Sequence, residues 1–562
     1  MRAITVALAG LLCMIAGENK VFSQAEVSGW GNLRGLRVSG QLVAFTTAVG
    51  IYSPDFSQLT LSQREGPTYT TQYVRDGNTV TVGANLQIRP AGRGGTAPSV
   101  PIAPQNGRRP TGGINYTISY TDMAAGRCDV KIKLSSPVAQ AIGGIYYFVT
   151  LPSANFTDGT AELIGGSSLV SASLASPDAK GRYLAGAGTG IRFSGKNHAK
   201  IEVSFGKSLD VVVQKGHGRG GNDIQAYFPL VVGPTVAGQV AEAEFSLKAD
   251  VDVDGAPAIV SLNPSNAGGE WLGIGGNYRI QNSRLDPLHI QYILDNMRVA
   301  YGRVALPWNL WQPKEDAPPP ALAERNGPRT EPSGGRGGMN SIAPSVEIAR
   351  KLAKQNIPLI ISCWSPPSWA TLPNQNAAQR GQRLDPAKWD AICQSIGSYL
   401  VYLKDRYGVE PELFSFNESN VGINVRQSPE EHTEGIKKLG AYFQSIGLKT
   451  RMLLGDTGDA LPINFIQPAL NDPEAVAYIG AVSFHSWRGA TDAQYQKWAD
   501  AAAQLGVPLI DAEGGNDAQA ANYPDIFREP WYALDEAAEY VRIMRICRPQ
   551  AILEWQFTEN YS

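Results

Sequence analysis

Cysteine and histidine are scarce in this chain, five of each among 562 residues. After Cys13 come Cys128, Cys363, Cys393 and Cys547, and no two stand in C-x-x-C spacing. So few thiols in so long a chain exclude a disulfide framework. Cys363 ends a predicted strand and Cys393 lies on the helix after it, which leaves open one bridge or two buried thiols. His198, His217, His289 and His432 show no metal-ligand spacing, so metal catalysis is disfavoured and no cofactor is implied. Charge is low as well: Asp, Glu, Lys and Arg make up 18 % and the formal net charge is −2, which argues against nucleic acid as a partner. No Gly-x-Ser-x-Gly elbow supports an esterase. After Gly17 no apolar run is long enough to span a bilayer.

The N-terminus carries Met1-Arg2, an apolar stretch from Ala3 to Gly17, and Val21-Phe22-Ser23 before Gln24. Small residues at −3 and −1 predict a signal peptide over 1–23 and a secreted or periplasmic protein. A membrane anchor is the rival reading, for which the stretch is short. The remainder exceeds one ordinary core, so more than one domain is expected.

Two halves differ in period. Residues 24–265 alternate every two, as in Thr79-Val-Thr-Val, Ile114-Asn-Tyr-Thr-Ile-Ser-Tyr, Asp129-Val-Lys-Ile-Lys-Leu and Lys200-Ile-Glu-Val-Ser-Phe. Gly, Pro, Asn and Asp separate these runs, which predicts an antiparallel β-sandwich. Within it, the segment from Arg89 to Gly113, with Arg93, Arg108 and Arg109, reads as an exposed loop or an anion site. Residues 266–562 alternate strands with amphipathic helices. The strands are β1 (272–277), β2 (302–306), β3 (358–364), β4 (413–417), β5 (450–455), β6 (481–485), β7 (508–513) and β8 (551–556). Helices are expected at 344–355, 386–407, 429–446, 492–505 and 531–547. Eight strands in strict alternation predict a (β/α)8 barrel. An open doubly wound sheet is the competitor, but Gly273-Ile-Gly275-Gly276-Asn277 departs from its phosphate-binding fingerprint. The chain ends straight after β8 without an eighth helix, which reads as a truncation.

A barrel of this kind places its chemistry at the C-terminal ends of its strands. Two carboxylates stand there, Glu418 after β4 and Glu513 at the end of β7. One protonated and one ionised carboxyl are the minimal set for cleaving a glycosidic bond. Ends of strands three apart lie across the pocket, which suits the roughly 5 Å spacing of a retaining enzyme. Both groups are expected in one water-accessible cavity. Asp456, Asp511 and Glu554 also lie near strand ends, with Asp511 read as structural and Glu554 held in reserve. Trp308, Trp311, Trp364, Trp369, Trp487, Trp531 and Trp555 gather at strand ends or in the following loops, where indole faces could stack on sugar rings. The insertion from Gln312 to Asn340 follows β2 as a lid, a subsite wall or a disordered loop.

Asn417-Glu418 after β4 and Glu513 ending β7 resemble the retaining glycosidases of clan A. The turn Trp364-Ser365-Pro366-Pro367-Ser368-Trp369 resembles that of glycoside hydrolase family 30, which includes glucosylceramidases, β-1,6-glucanases and xylanases. The resemblance covers roughly residues 270–556. It implies Glu418 as acid/base and Glu513 as nucleophile, with Asn417 on the sugar 2-hydroxyl and Trp555 flooring the same subsite. It further implies that Arg303 lies near the nucleophile and that His485 is the family's histidine after β6; from their places at the strand ends, Trp364, Trp487, Trp308 and Trp369 are expected to line the substrate site. The partner would be a β-linked oligo- or polysaccharide. Trp487 stands where many relatives place a tyrosine, and the family's sandwich is built largely from strands after the barrel. A catalytically inactive carbohydrate-binding or scaffolding protein is the alternative. Asn115-Tyr-Thr, Asn155-Phe-Thr and Asn417-Glu-Ser are glycosylation sequons. Modification of the last would block the site, which favours a bacterial secretory route.

Overall fold

The computed structural model describes residues 25–557 except 63–67, 88–111, 125, 167–169, 217–222, 253–254, 258, 262, 264, 266–268, 281–283, 317–341, 374–378 and 517–523. The expected signal peptide, nearly all of the Arg-rich loop and most of the insertion after Gln312 lie outside the described residues. The chain forms two compact units, one of residues 1–259 and 519–532, the other of residues 260–518 and 533–562. The short stretch 519–532 falls inside the range expected for the barrel, yet it belongs to the first unit.

The first unit is antiparallel β-structure. In Ile114–Ala124 and Arg127–Ser136 buried and open positions alternate almost without a break, because successive side chains point to opposite faces. Among the described residues thirteen strands join in one hydrogen-bonded sheet, and a three-stranded sheet accompanies it. The long sheet curls over a single core that includes Val82, Ile118, Val130, Tyr147, Val203 and Phe245. Thr47 and Tyr120, from strands far apart in the sheet order, share a hydrogen bond of 2.9 Å across that core. One curled sheet therefore does the work expected of two stacked ones. Ile526 and Trp531 fill the same core. Buried Glu529 takes a two-pronged ion pair from Arg75 (Nη2 to Oε2, 2.8 Å), and Arg34 lies 5.0 Å over the Trp531 ring.

The second unit is a closed barrel of eight parallel strands in chain order. They are β1 (Gly273–Tyr278), β2 (Gly302–Leu306), β3 (Leu359–Cys363), β4 (Leu413–Phe416), β5 (Arg451–Thr457), β6 (Ile479–His485), β7 (Leu509–Gly514) and β8 (Ala551–Glu554). β8 closes on β1 through the pairs Gly273 with Ala551 to Gly276 with Glu554. All five expected helices are present, as Ala343–Lys354, Trp389–Tyr407, Pro429–Ser445, Asp492–Leu505 and Pro530–Cys547. Ser428 and Thr491 start two of them with capping boxes, which satisfy otherwise orphaned N–H groups. After β8, the Phe557 ring packs on Tyr278 of β1. The four described cysteines, Cys128, Cys363, Cys393 and Cys547, are buried free thiols. No helix among the described residues is long and apolar enough to cross a membrane.

Inside the barrel an apolar layer includes Ile360, Leu413, Leu453, Ala481, Ile510, Ala551 and Leu553. Two residues further along β3 and β4 come Ser362 and Ser415, both buried. The floor of the barrel is thus apolar and its mouth polar. Register shifts at Gly455/Thr457 on β5 and at Asp511/Gly514 on β7 break the strict alternation. Bulges of this kind re-aim side chains beside functional sites, here Asp456 and Glu513.

Gly455 has φ +101°, and a Cβ there would sit 2.3 Å from the Ser483 carbonyl oxygen. Gly408 ends the helix Trp389–Tyr407 in the left-handed region with open space around it. Gly455→Ala is expected to cost roughly 1–3 kcal/mol and Gly408→Ala about 1 kcal/mol, read from urea denaturation midpoints. Equal losses would contradict the close packing at Gly455.

Candidate active site

Arg303, the second residue of β2, points into the barrel and is almost fully buried. A guanidinium has five N–H donors and no acceptor. All five are used. Nε donates to Ser362 Oγ (2.9 Å). Nη1 donates to Asn277 Oδ1 (2.8 Å) and Glu513 Oε1 (2.6 Å). Nη2 donates to Asn417 Oδ1 (2.6 Å) and Asp456 Oδ2 (2.9 Å). Since Arg303 only donates, Asn417 must turn its carbonyl oxygen toward it, which keeps the amide NH2 for another acceptor. Burial works against the guanidinium charge, and Asp456 followed by Glu513 more than restores it.

Asp456 is the second centre. It accepts from Arg303, from Ser415 Oγ (2.6 Å) and from His485 Nε2 (2.9 Å). Burial alone would raise its carboxyl; Arg303 and His485 hold it well below the usual carboxylate range. Its φ is +50° and that of Glu418 is +44°, both uncommon outside glycine. The Glu418 backbone N–H donates to the Asp456 carbonyl at 2.9 Å, so each left-handed turn is held against the other.

His485 is wholly buried at the end of β6. With Nε2 on Asp456, its Nδ1 faces Glu418 Oε1 at 3.2 Å and Glu513 Oε2 at 3.3 Å. Burial alone would lower the imidazole, but the charge of Glu513 and the bonds to Asp456 and Glu418 override it and push the ring up to about 10. Glu513 is 3 % exposed. Burial raises its carboxyl, while His485 and Arg303 pull the other way. The indole N–H of Trp487 donates to its Oε2 at 3.2 Å. Glu418 is more open, with a side chain 16 % exposed. Of the two carboxyls expected to share a water-accessible cavity, Glu418 is the one that reaches water, and Glu513 is nearly closed off.

One atom each of Glu418, His485 and Glu513 lie within 4.8 Å of one another, close enough to surround a small cation. His485 Nδ1, hydrogen-bonded to Glu418 Oε1 and 3.3 Å from Glu513 Oε2, stands in that place. One oxygen of Glu418 is consequently within 4.8 Å of one oxygen of Glu513.

Three of the expected aromatics surround this cluster. Trp364 and Trp555 have ring centroids 5.5 Å apart, and Trp487 and Trp555 5.9 Å. The Trp364 indole N–H is buried with no acceptor among the described residues. Arg279 lies 4.8 Å over Trp364 and 4.7 Å over Trp555 and donates to Gln556 Oε1, so a cation covers part of the expected indole platform.

Other expectations need correction. Trp308 is 0 % exposed and donates to Ser395 of the helix Trp389–Tyr407, so it is a core residue that no substrate can reach. Trp311 is likewise buried, on Ser398. Trp369 is partly exposed, but its N–H is committed to the Gln312 carbonyl (2.8 Å) and its ring packs edge-on against Trp308; it holds the loop after β2. Trp531 lies in the first unit. Glu554, held in reserve, bonds Tyr540 on the helix Pro530–Cys547, and burial pushes it up to about 8. Burial also raises Asp511 to about 7. Sequence reading missed Asn277, Ser362, Ser415 and Arg279, and noted Asp456 only as a strand-end acid. The acid following Leu453-Leu454-Gly455 was the available signal for Asp456.

No family model matches the chain, and no curated protein matches it. Solved structures do. It is similar to a family 30 endoxylanase from Clostridium papyrosolvens (16 % identity, 52 % of this chain and 67 % of that one, TM-score 0.39). It is similar to SrfJ from Salmonella typhimurium (17 %, 55 % and 71 %, TM-score 0.40) and to a family 39 β-xylosidase from Caulobacter crescentus (16 %, 51 % and 62 %, TM-score 0.35). These likenesses take in about half of this chain, and the chemistry rests on the site's own geometry.

Two buried imidazoles should titrate in opposite directions. His432 accepts the Gly455 N–H at Nε2 and pairs with Gln427 through Nδ1, the pattern of a neutral ring, and burial lowers it to about 4. By NMR, His485 is expected to be charged at pH 8 and His432 neutral at pH 5. Because His485 is raised from 6.5, its stabilisation is complete below about pH 6.5 and fades as the pH rises through about 10. A neutral His485 at pH 7 would overturn this electrostatic picture. Arg303→Met leaves buried carboxylates unpaired and should destabilise the fold by about 3–5 kcal/mol at pH 7, measured by thermal and urea unfolding.

Proposed function

We propose that the barrel is a retaining β-glycoside hydrolase, secreted or periplasmic, acting on a β-linked oligo- or polysaccharide. The observation that carries this reading is the approach of Glu418 and Glu513, within 4.8 Å at their nearest ligand atoms. Retaining enzymes hold their two carboxyls about 5–5.5 Å apart, whereas inverting ones leave roughly 6.5–9.5 Å for a water.

Glu513 is the nucleophile. Its oxygens take N–H bonds from Arg303 and Trp487, donors that favour the ionised form against the cost of burial. Glu513 attacks the anomeric carbon as the glycosidic bond breaks, and the leaving oxygen takes its proton from Glu418. Water then attacks the glycosyl ester and gives a proton back to Glu418. Asn417, its amide orientation set by Arg303, offers N–H groups to the sugar 2-hydroxyl. The unpartnered Trp364 N–H offers a further donor, since a buried polar group gains most from a bond it otherwise lacks.

The near-closure of Glu513 favours one rival, a barrel that binds glycans without cleaving them. A panel of β-glycans separates the two. Glu513→Gln should lose at least 10³-fold in kcat, and Glu418→Ala should lose comparably on natural glycans yet recover with azide on an activated aryl glycoside. Proton NMR of the first product should show retained β configuration. Glycan binding with no sugar release by the unaltered protein would establish the rival.

A further inference from the structure

Gly458 follows β5 directly and lies against the Glu418 carboxyl. A Cβ at this position would stand 3.1 Å from Glu418 Oε1, 3.5 Å from its Cδ and 3.1 Å from Val421 Cγ2. Carbon atoms pack best at roughly 3.5–4.0 Å, so a side chain here would press on both neighbours. The main chain is held on several sides. Gly458 N–H donates to Asn420 Oδ1 (3.0 Å), and Thr457 and Asp459 on either side are buried. Thr457 Oγ1 donates to the Asp459 carbonyl (2.8 Å), and Arg488 Nη1 donates to Asp459 Oδ2 (3.0 Å). Val421 Cγ2 closes the side on which an added methyl would otherwise lean away from Glu418. The loop after β4 is fixed too, since the Glu418 N–H donates to the Asp456 carbonyl. Glu418 Oε1 is bonded to His485 Nδ1, and His485 Nε2 to Asp456.

We propose that Gly458 is a positioning residue: its missing side chain leaves the seat in which the Glu418 carboxyl lies, so that Oε2 carries the proton for the leaving oxygen. The proposal rests on the glycosidase reading for the role of Glu418. In a protonated carboxyl the oxygen that accepts a hydrogen bond is the carbonyl oxygen, here Oε1, and the acidic proton belongs to Oε2. In the first step the bond from the anomeric carbon to the leaving oxygen breaks. Its electron pair stays on that oxygen, which takes the Oε2 proton while Glu513 bonds the anomeric carbon. Gly458 takes no part in these bond changes and decides only where Oε2 stands. A misplacement of about 1 Å can cost roughly 100-fold in rate. Gly458 is not in the left-handed region, so an alanine strains no backbone there and acts through the contact itself.

The test compares Gly458→Ala with the unaltered protein on aryl β-glycosides of one sugar, with thermal unfolding reporting that each variant is folded. A 2,4-dinitrophenyl leaving group needs no acid, whereas an unsubstituted phenyl group depends on it. Because kcat/KM reports the first step, Gly458→Ala should lose about 10–100-fold on the phenyl glycoside and less than about 3-fold on the dinitrophenyl one. On the dinitrophenyl glycoside kcat and KM should fall together, since Glu418 is also the base of the second step and the ester accumulates. Adding Val421→Ala opens the side that Cγ2 closes, lets the new methyl lean away, and should restore most of the phenyl activity. An equal loss on both leaving groups would mark Gly458 as merely structural. That result, no loss on either, or a loss that Val421→Ala leaves unrelieved overturns the positioning role. Any of these in an active enzyme spares the glycosidase reading. An unaltered protein inert to every β-glycoside would overturn that reading and the role of Gly458 with it.

Discussion

One guanidinium organises the mouth of this barrel. Arg303 spends its five N–H groups on five side chains, from β1, β3, β5 and β7 and from the residue after β4. A buried cation is tolerable only when its charge is balanced and its donors are satisfied. Asp456 and Glu513 supply the balance, and Asn277, Asn417 and Ser362 take the remaining donors. Each partner has its orientation set by a group that can only donate. The position of Glu513 and the amide direction of Asn417 therefore follow from the same five bonds.

The polar layer has a conformational cost. Glu418 and Asp456 both sit at positive φ, a departure worth of order 1–3 kcal/mol each. The bond from Glu418 N to Asp456 O links the two turns directly, and the bulge on β5 falls at Asp456. Below them, the apolar layer from Ile360 to Leu553 packs as an ordinary barrel interior.

Environment, more than residue type, sets the behaviour of the titratable groups. His485 and His432 are both buried, yet carboxylates raise the first and desolvation lowers the second. The strand-end acids divide in the same way. Asp456 is held ionised by cations inside the barrel. Asp511 and Glu554 make no ion pair among the described residues, and burial raises both.

Much of this was legible in the linear chain. The period-two runs and the strand–helix alternation report burial one element at a time, and such local patterns survive in sequence. They placed all eight barrel strands and put Glu418 and Glu513 at the ends of β4 and β7. Other features depend on barrel closure. Arg303 and Glu513 are 210 positions apart, and no local pattern announces that Arg303 would also engage Asn277 and Asp456. Trp308 and Trp487 look alike in sequence, but one fills the core and the other bonds Glu513, because helix packing decides which indole is covered. The stretch 519–532 carries no mark of its membership in the first unit. Strand identity and order were thus determined by the chain itself, through side-chain periodicity. Tertiary structure alone decided which side chains meet, since bulges and closure fix the register across strands that sequence cannot align.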